Sequence, residues 1–317
     1  TYMQRSATLK VVTTHGDIWV DDSLSSLSGT TIQSIADDFE NAYASDTAHY
    51  GTPIYTTSSP ALVGQVYPAC DATGAPTGSF VPTVITPTDN KIVVLVLDLV
   101  GANVGYGGYF GPANYIYQSA WNCEIGKAPH YYTAQTLPKS NEAPMIVVGY
   151  YTKNPPAYET GEDLVRGTAH EFQHLINYVN HLILTNSQTA EDTWINEGMS
   201  MLSQDFAVNR LYPTLPIDIA DAGWRASNYL AAPQNYSLTA FTGIVSSTQK
   251  YNCGDCYGPE YLFQRYLYDR FGGDAYLKKM LGASSSYPNL QQATGVDPAQ
   301  LIPDFAIALA ASGTGAT

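Results

Sequence analysis

Between Glu162 and Leu184 the apolar residues Val165, Ala169, Phe172, Ile176, Val179 and Ile183 recur three or four positions apart. That period is the α-helix's and sets all six on one core-facing stripe. The segment therefore predicts a long, one-sided helix, which must be buried against other elements. His170 and His174 lie off the stripe, on a face shared with Asn177 and His181.

The stretch His170-Glu171-Phe172-Gln173-His174 is an HExxH motif. Helical positions four apart share a face, separated by about 6 Å along the axis. Two imidazoles so placed can reach one metal ion at about 2.0–2.1 Å. Glu171 stands one residue on, about 100° round the helix, where it can take a proton from water without ligating. A catalytic zinc commonly has three protein ligands and an open position. The candidate third ligand is Glu197, in Trp194-Ile195-Asn196-Glu197-Gly198. The 22 residues from Leu175 to Asn196 leave room for one helix to end and a second to return. Trp194, Ile195, Met199 and Leu202 can pack that second helix, and Gly198 permits a close approach beside the ligand. Two histidines and a carboxylate favour zinc over calcium. Position 180 is Asn180, so the three-histidine form of the motif is excluded. His181 is seven residues beyond His174, too far along the helix to share the ion.

The rest of the chain divides in character. Ala7 to Val20 alternates like two strands around a His15-Gly16 turn, and Thr31 to Ala44 has helical spacing. Gly51 to Pro87, rich in Pro, Gly, Thr and Ser, reads as strands joined by long loops. Lys91–Leu99 and Ala143–Tyr151 read as buried strands, and Gly101–Gly111 between them as a loop. Past Pro156 helices dominate, over about 190–210, 259–271 and 298–311. Arg270-Phe271-Gly272-Gly273 supplies a cation followed by a glycine stop.

The formal net charge of −14, from 28 acidic and 14 basic residues, repels phosphate backbones and argues against nucleic acid as a partner. No apolar run reaches the roughly 18 residues of a membrane span. Only 13% of residues are charged, a balance common outside the cell. The chain begins at Thr1 without an initiator Met, as a processed or trimmed chain would. Four cysteines fit two disulfides in an oxidising compartment. Of the three possible pairings the favoured one is Cys70–Cys123 with Cys253–Cys256, because the close pair can bridge itself; a second zinc site at Cys253 and Cys256 would need two more ligands, and none lie near in sequence. Asp17, Asp21 and Asp22 are candidates for a Ca2+ site, but without regular ligand spacing a turn or helix-start role is the simpler expectation.

At the HExxH stretch, extended through Leu175-Ile176-Asn177, and at Trp194 to Ser200, the chain resembles the gluzincin metallopeptidases, and within them the hyicolysin family. Ile18 to Asp22, Ile92 to Leu99 with Gly107 to Phe110, and Tyr257 to Phe263 with Tyr266-Leu267 are similar to further elements of that family. The resemblance covers about residues 10 to 310, and its specific part is the WINEG context. It implies an α+β, thermolysin-like fold: a β-rich upper subdomain (1–160) and a mainly helical lower one (161–317) carrying HExxH and the glutamate ligand. The zinc cleft would lie between them, making one catalytic unit. It also implies that His170, His174 and Glu197 bind one catalytic Zn2+ and that Glu171 is the base. A Tyr or His commonly holds the oxyanion in such enzymes; Tyr257 is the first candidate, with Tyr251 and Tyr261 behind it. Met201 departs from the thermolysin arrangement, which has an Asp four residues after the glutamate.

The activity so implied is that of a secreted, monomeric, extracellular zinc endopeptidase acting on protein or peptide. Two other readings are a non-catalytic extracellular binding protein or adhesin with a structural zinc, and a glycan-recognising peptidase acting on glycoproteins.

Overall fold

A computed structural model describes residues 4–53, 66–82, 85, 89–98, 107–128, 131–150, 161–185, 187, 189–214, 221–239 and 256–312. Contacts divide the chain into two compact units, residues 1–44 with 53–179 and residues 45–52 with 180–317.

Among its described residues the first unit is built on a five-stranded sheet ordered β1-β2-β5-β7-β6. Its strands are β1 (Ala7–Val12), β2 (Gly16–Asp21), β5 (Ile92–Leu97), β6 (Gly108–Phe110) and β7 (Met145–Gly149). β2, β5 and β7 run parallel, while β1 and β6 pair antiparallel at the two edges. Parallel strands are covered on both faces and read as continuous apolar runs. β5 and β7 are such runs: Ile92, Val94 and Val96 are buried, as is the whole of β7. Val93, Leu95 and Leu97 pack on Met145 and Val147. Helix α1 (Gly29–His49) follows β2, and its Ile35, Ala36 and Phe39 are fully buried. A separate hairpin, β3 (Val66–Cys70) with β4 (Pro76–Pro82), is tied to the end of helix α2 (Gln118–Asn122) by the expected disulfide Cys70–Cys123, with Cα atoms 5.1 Å apart. Cys256 is disulfide-bonded too; its expected partner Cys253 lies outside the described residues.

The expected Gly101–Gly111 loop needs correction at its end. Gly108–Phe110 is strand β6, paired with β7 from Gly108↔Val148 to Phe110↔Ile146; positions 101–106 lie outside the described residues. Glycine there marks a close approach rather than a turn.

Helix α3 (Gly161–Asn177) groups with the sheet and contacts β6 and β7. The expected subdomain border at 160/161 differs from this division. The reason is the apolar stripe: Phe172 is fully buried, its ring 5.8 Å from Phe39 and 5.2 Å from Tyr43 of α1. From Tyr178 to Leu184 the helix continues as a π-helix, for which the sequence gives no signal.

The second unit is helical among its described residues: α4 (Thr193–Leu211), α5 (Asp221–Ala231), α6 (Tyr257–Arg270), α7 (Asp274–Met280), α8 (Ser286–Thr294) and α9 (Pro298–Ala311). α6 ends where expected, with Gly272 and Gly273 at φ 94° and 64°. α9 starts on Asp297, whose side chain accepts from the Ala299 N–H, with Pro298 in the first turn. Buried polar bonds pin α4: Tyr50 donates to the Met199 carbonyl at 2.7 Å, and Ser203 to Asp46 at 2.6 Å.

Candidate metal centre

The stripe of α3 places its histidines. Val165, Ala169, Phe172 and Ile176 are all fully buried, so the helix has one rotation about its axis that keeps them inside. His170 and His174 then flank the stripe, one turn apart, with rings nearly perpendicular (85°) and centroids 4.8 Å apart. Their Nε2 atoms are 3.2 Å from each other. His170 is buried to 8% exposure and Glu171 to 7%.

On α4, Trp194, Ile195, Met199 and Leu202 are buried as the pattern predicts, which leaves Glu197 half-buried. Gly198 is packed on α6: a Cβ there would stand 2.7 Å from both Gln264 Cγ and the Glu260 carbonyl oxygen. His170, His174 and Glu197 each offer one ligand atom, and the three atoms all lie within 4.8 Å of one another. The group could hold a metal ion. His181 is not part of it: its Nε2 is 3.0 Å from the Thr189 carbonyl oxygen.

Glu171 stands against the start of β6. A Cβ added to Gly108 of β6 would lie 3.1 Å from Glu171 Cγ and 3.4 Å from Oε1.

Glu260 was not anticipated. Its side chain is fully buried and neither carboxylate oxygen has a hydrogen-bond partner among the described residues. Burial first, then the negative charge of Glu197, pushes its carboxyl from 4.5 up to about 10, so in the absence of a metal it is neutral at pH 7. An acid in the first turn of a helix ordinarily reads as a solvated, dipole-complementing group. The available signal was spacing: Glu260 precedes Phe263 by three and Leu267 by seven, on the buried stripe of α6.

The tyrosines separate. Tyr257 opens α6 half-buried, with the Arg225 guanidinium 4.7 Å from its ring centroid, a cation–π contact that holds the ring in place. Tyr261 is 4% exposed, and burial, then Asp205, pushes its hydroxyl pKa upward; it is enclosed by the protein. Tyr251 lies outside the described residues. The three N-terminal acids are engaged separately. Asp17 pairs with Lys91 at 3.4 Å, Asp22 accepts from Thr8, and Asp21 caps the turn at Ser23.

A scan against models of protein families and a search of curated proteins both find no match to this chain.

Proposed function

We propose that the chain is a zinc-dependent endopeptidase, with zinc held by His170, His174 and Glu197 and Glu171 as the general base. The observation that carries this is the convergence of those three ligand atoms within 4.8 Å, next in sequence to a buried carboxylate that is not one of them. The donor set suits zinc. Two nitrogens at about 2.0–2.1 Å from one ion, at a tetrahedral angle, stand about 3.3 Å apart; the two Nε2 atoms are at 3.2 Å. A purely structural zinc takes four protein ligands, whereas three converge among the described residues.

Zinc in such a site supplies a Lewis acid that acidifies a water molecule and polarises a carbonyl oxygen. Glu171 accepts the proton of the attacking water on a carboxylate oxygen and passes it to the leaving amine. Tyr257, held under Arg225, donates its hydroxyl proton in a hydrogen bond to the developing oxyanion. β6 is an edge strand among the described residues, and its Gly108 lies against Glu171. A peptide that adds to this edge in extended form therefore runs past the base. The Cys70–Cys123 disulfide supports an oxidising, extracellular setting, and no helix among the described residues is long and apolar enough to cross a membrane.

The deciding experiment measures cleavage of denatured casein with and without a chelator, beside zinc content, for the parent chain and Glu171→Gln. Chelator-sensitive cleavage by the parent is expected. The variant should hold one equivalent of zinc with turnover lowered by about 10²–10⁴-fold. Normal turnover in Glu171→Gln overturns the base assignment, and cleavage indifferent to chelation overturns the metal chemistry.

A further inference from the structure

We propose that Arg225 is a positioning residue for Tyr257: its guanidinium fixes the ring that carries the oxyanion-holding hydroxyl and strengthens that hydroxyl as a donor. The inference rests on the hydrolase reading for its catalytic consequence, and on the packing of α5 against α6 for its geometry.

The backbone at Tyr257 is held on both sides. Cys256 before it is disulfide-bonded. Gly258 after it lies against α5: a Cβ there would run into the Arg225 carbonyl oxygen, and would stand 2.8 Å from the Arg225 carbonyl carbon and 3.1 Å from Tyr229 Cβ. Gly258 is not among the glycines with positive φ, so the close approach, rather than its own backbone conformation, accounts for the glycine. The same turn of α6 borders the metal group. Glu260, three residues on, has its carbonyl oxygen 2.7 Å from where a Cβ on Gly198 would stand, and Gly198 follows Glu197 on α4.

With the backbone so placed, the direction of the ring decides where the hydroxyl stands. The Arg225 guanidinium lies over that ring, 4.7 Å from its centroid, and over the Trp224 ring at 5.7 Å. Both distances are inside the roughly 6 Å at which a cation is drawn to an aromatic face. One residue of α5 thus meets Tyr257 and its neighbour twice, with its carbonyl on the α6 backbone and with its cation on the ring. The cation also has an electrostatic consequence. A phenol that donates to an oxyanion gains negative charge as it does so, and a positive charge on its ring face favours that change. The effect is larger in half-buried surroundings, which Arg225 and Tyr257 share, than in water. Since the oxyanion develops in the transition state, the contribution falls on kcat rather than on KM.

The test uses the full chain with Arg225→Met, Arg225→Lys, Tyr257→Phe and the Arg225→Met/Tyr257→Phe double variant, beside the parent. Zinc content is measured directly, and kcat and KM on a quenched fluorescent peptide built on a site cut in denatured casein. Arg225→Met should keep one equivalent of zinc, lose about 5–30-fold in kcat and change KM by less than about threefold. Arg225→Lys, which keeps the charge, should lose less. In the Tyr257→Phe background the ring remains and the hydroxyl is gone, so Arg225→Met should change kcat by less than about twofold. Any other contact of the guanidinium acts alike in both backgrounds, and the cycle isolates the part that runs through the hydroxyl. An Arg225→Met kcat within about twofold of the parent overturns the proposal. So do equal losses in the two backgrounds, a Lys variant as impaired as the Met variant, and loss of zinc. If Arg225→Met does not fold, Arg225→Gln takes its place in the cycle; failure of both overturns the proposal, because Arg225 would then be needed for the fold itself. If the parent shows no chelator-sensitive cleavage, the hydrolase reading falls. The contact is then judged by urea midpoints of Arg225→Met, Tyr257→Ala and their double variant: less-than-additive shifts uphold the hold of the guanidinium on the ring, and additive shifts overturn it.

Discussion

Replacing Gly198 by alanine sets two opposed terms against each other beside the proposed third ligand, Glu197. Glycine inside a helix is less favourable than alanine by about 0.8–1 kcal/mol, so propensity alone makes Gly198→Ala stabilising. The geometry argues the other way. The new Cβ would stand 2.7 Å from the Glu260 carbonyl oxygen, 2.7 Å from Gln264 Cγ and 3.1 Å from the Glu260 carbonyl carbon. The glutamine side chain could swing aside were it exposed, but it is fully buried, and Tyr276 donates to its Oε1 at 2.8 Å. The carbonyl belongs to the helix backbone and cannot swing at all. Relief requires α4 and α6 to separate, and overpacking of this kind costs about 1–3 kcal/mol. With backbone in the clash the upper part of that range applies, and the net is a loss of about 1–2 kcal/mol. For a urea m-value of about 1–3 kcal/mol per molar, the midpoint of the metal-free protein should fall by roughly 0.3–2 M, with the slope unchanged. Glu197 is the adjacent residue and moves with α4, so zinc affinity should fall by about tenfold, within the 10–100-fold typical of disturbing a ligand's support. Both are read on the same samples, by circular dichroism in urea and by competitive zinc titration. A variant as stable as the parent, with undiminished zinc affinity, would refute the close crossing of α4 and α6.

Three further outcomes are expected. Asp38 is buried, with its Oδ2 unpartnered among the described residues, and burial followed by the charge of Asp37 pushes its carboxyl from 3.8 up to about 7. The unfolded chain ionises first, so Asp38 is harmless below pH 3.8 and erodes stability as pH rises to about 7. Asp38→Asn should therefore match the parent near pH 3.5 and exceed it near pH 7.5 by about 2–4 kcal/mol; urea midpoints that agree at both pH values contradict this. Tyr257→Phe keeps the ring under Arg225 and should lower kcat by about 10²–10³-fold without changing zinc content; a kcat within a few fold of the parent would pass the oxyanion role to another group. Glu197→Ala should lose tightly bound zinc, and a purified variant retaining one full equivalent would point to a different third ligand.

What could be seen in the sequence, and what could not, follows from the range of the interactions involved. α3 was legible because its apolar stripe repeats from Val165 to Ile176, about three turns, and β5 and β7 because parallel strands covered on both faces leave unbroken apolar runs. The metal group was legible because two of its members sit one turn apart on that helix. α7 and α8 went unseen because about two turns of helix are shorter than the window in which a 3.6 period can be recognised. β6 was hidden for a related reason: its three residues begin with a glycine, which reads as loop until its partner strand is known. Glu260 was hidden by its charge, which argues for solvent more strongly than its spacing argues for burial. Gly108 and Gly198 show the common limit most plainly. A glycine inside a regular element says that another atom comes close, but it names neither the atom nor the distance. Only the fold reveals that one faces the proposed base and the other faces the helix behind the third ligand. In each place an added methyl would press on a backbone carbonyl oxygen of the neighbouring element, Val147 of β7 for Gly108 and Glu260 of α6 for Gly198, so how closely these elements approach depends on residues that carry no chemistry of their own.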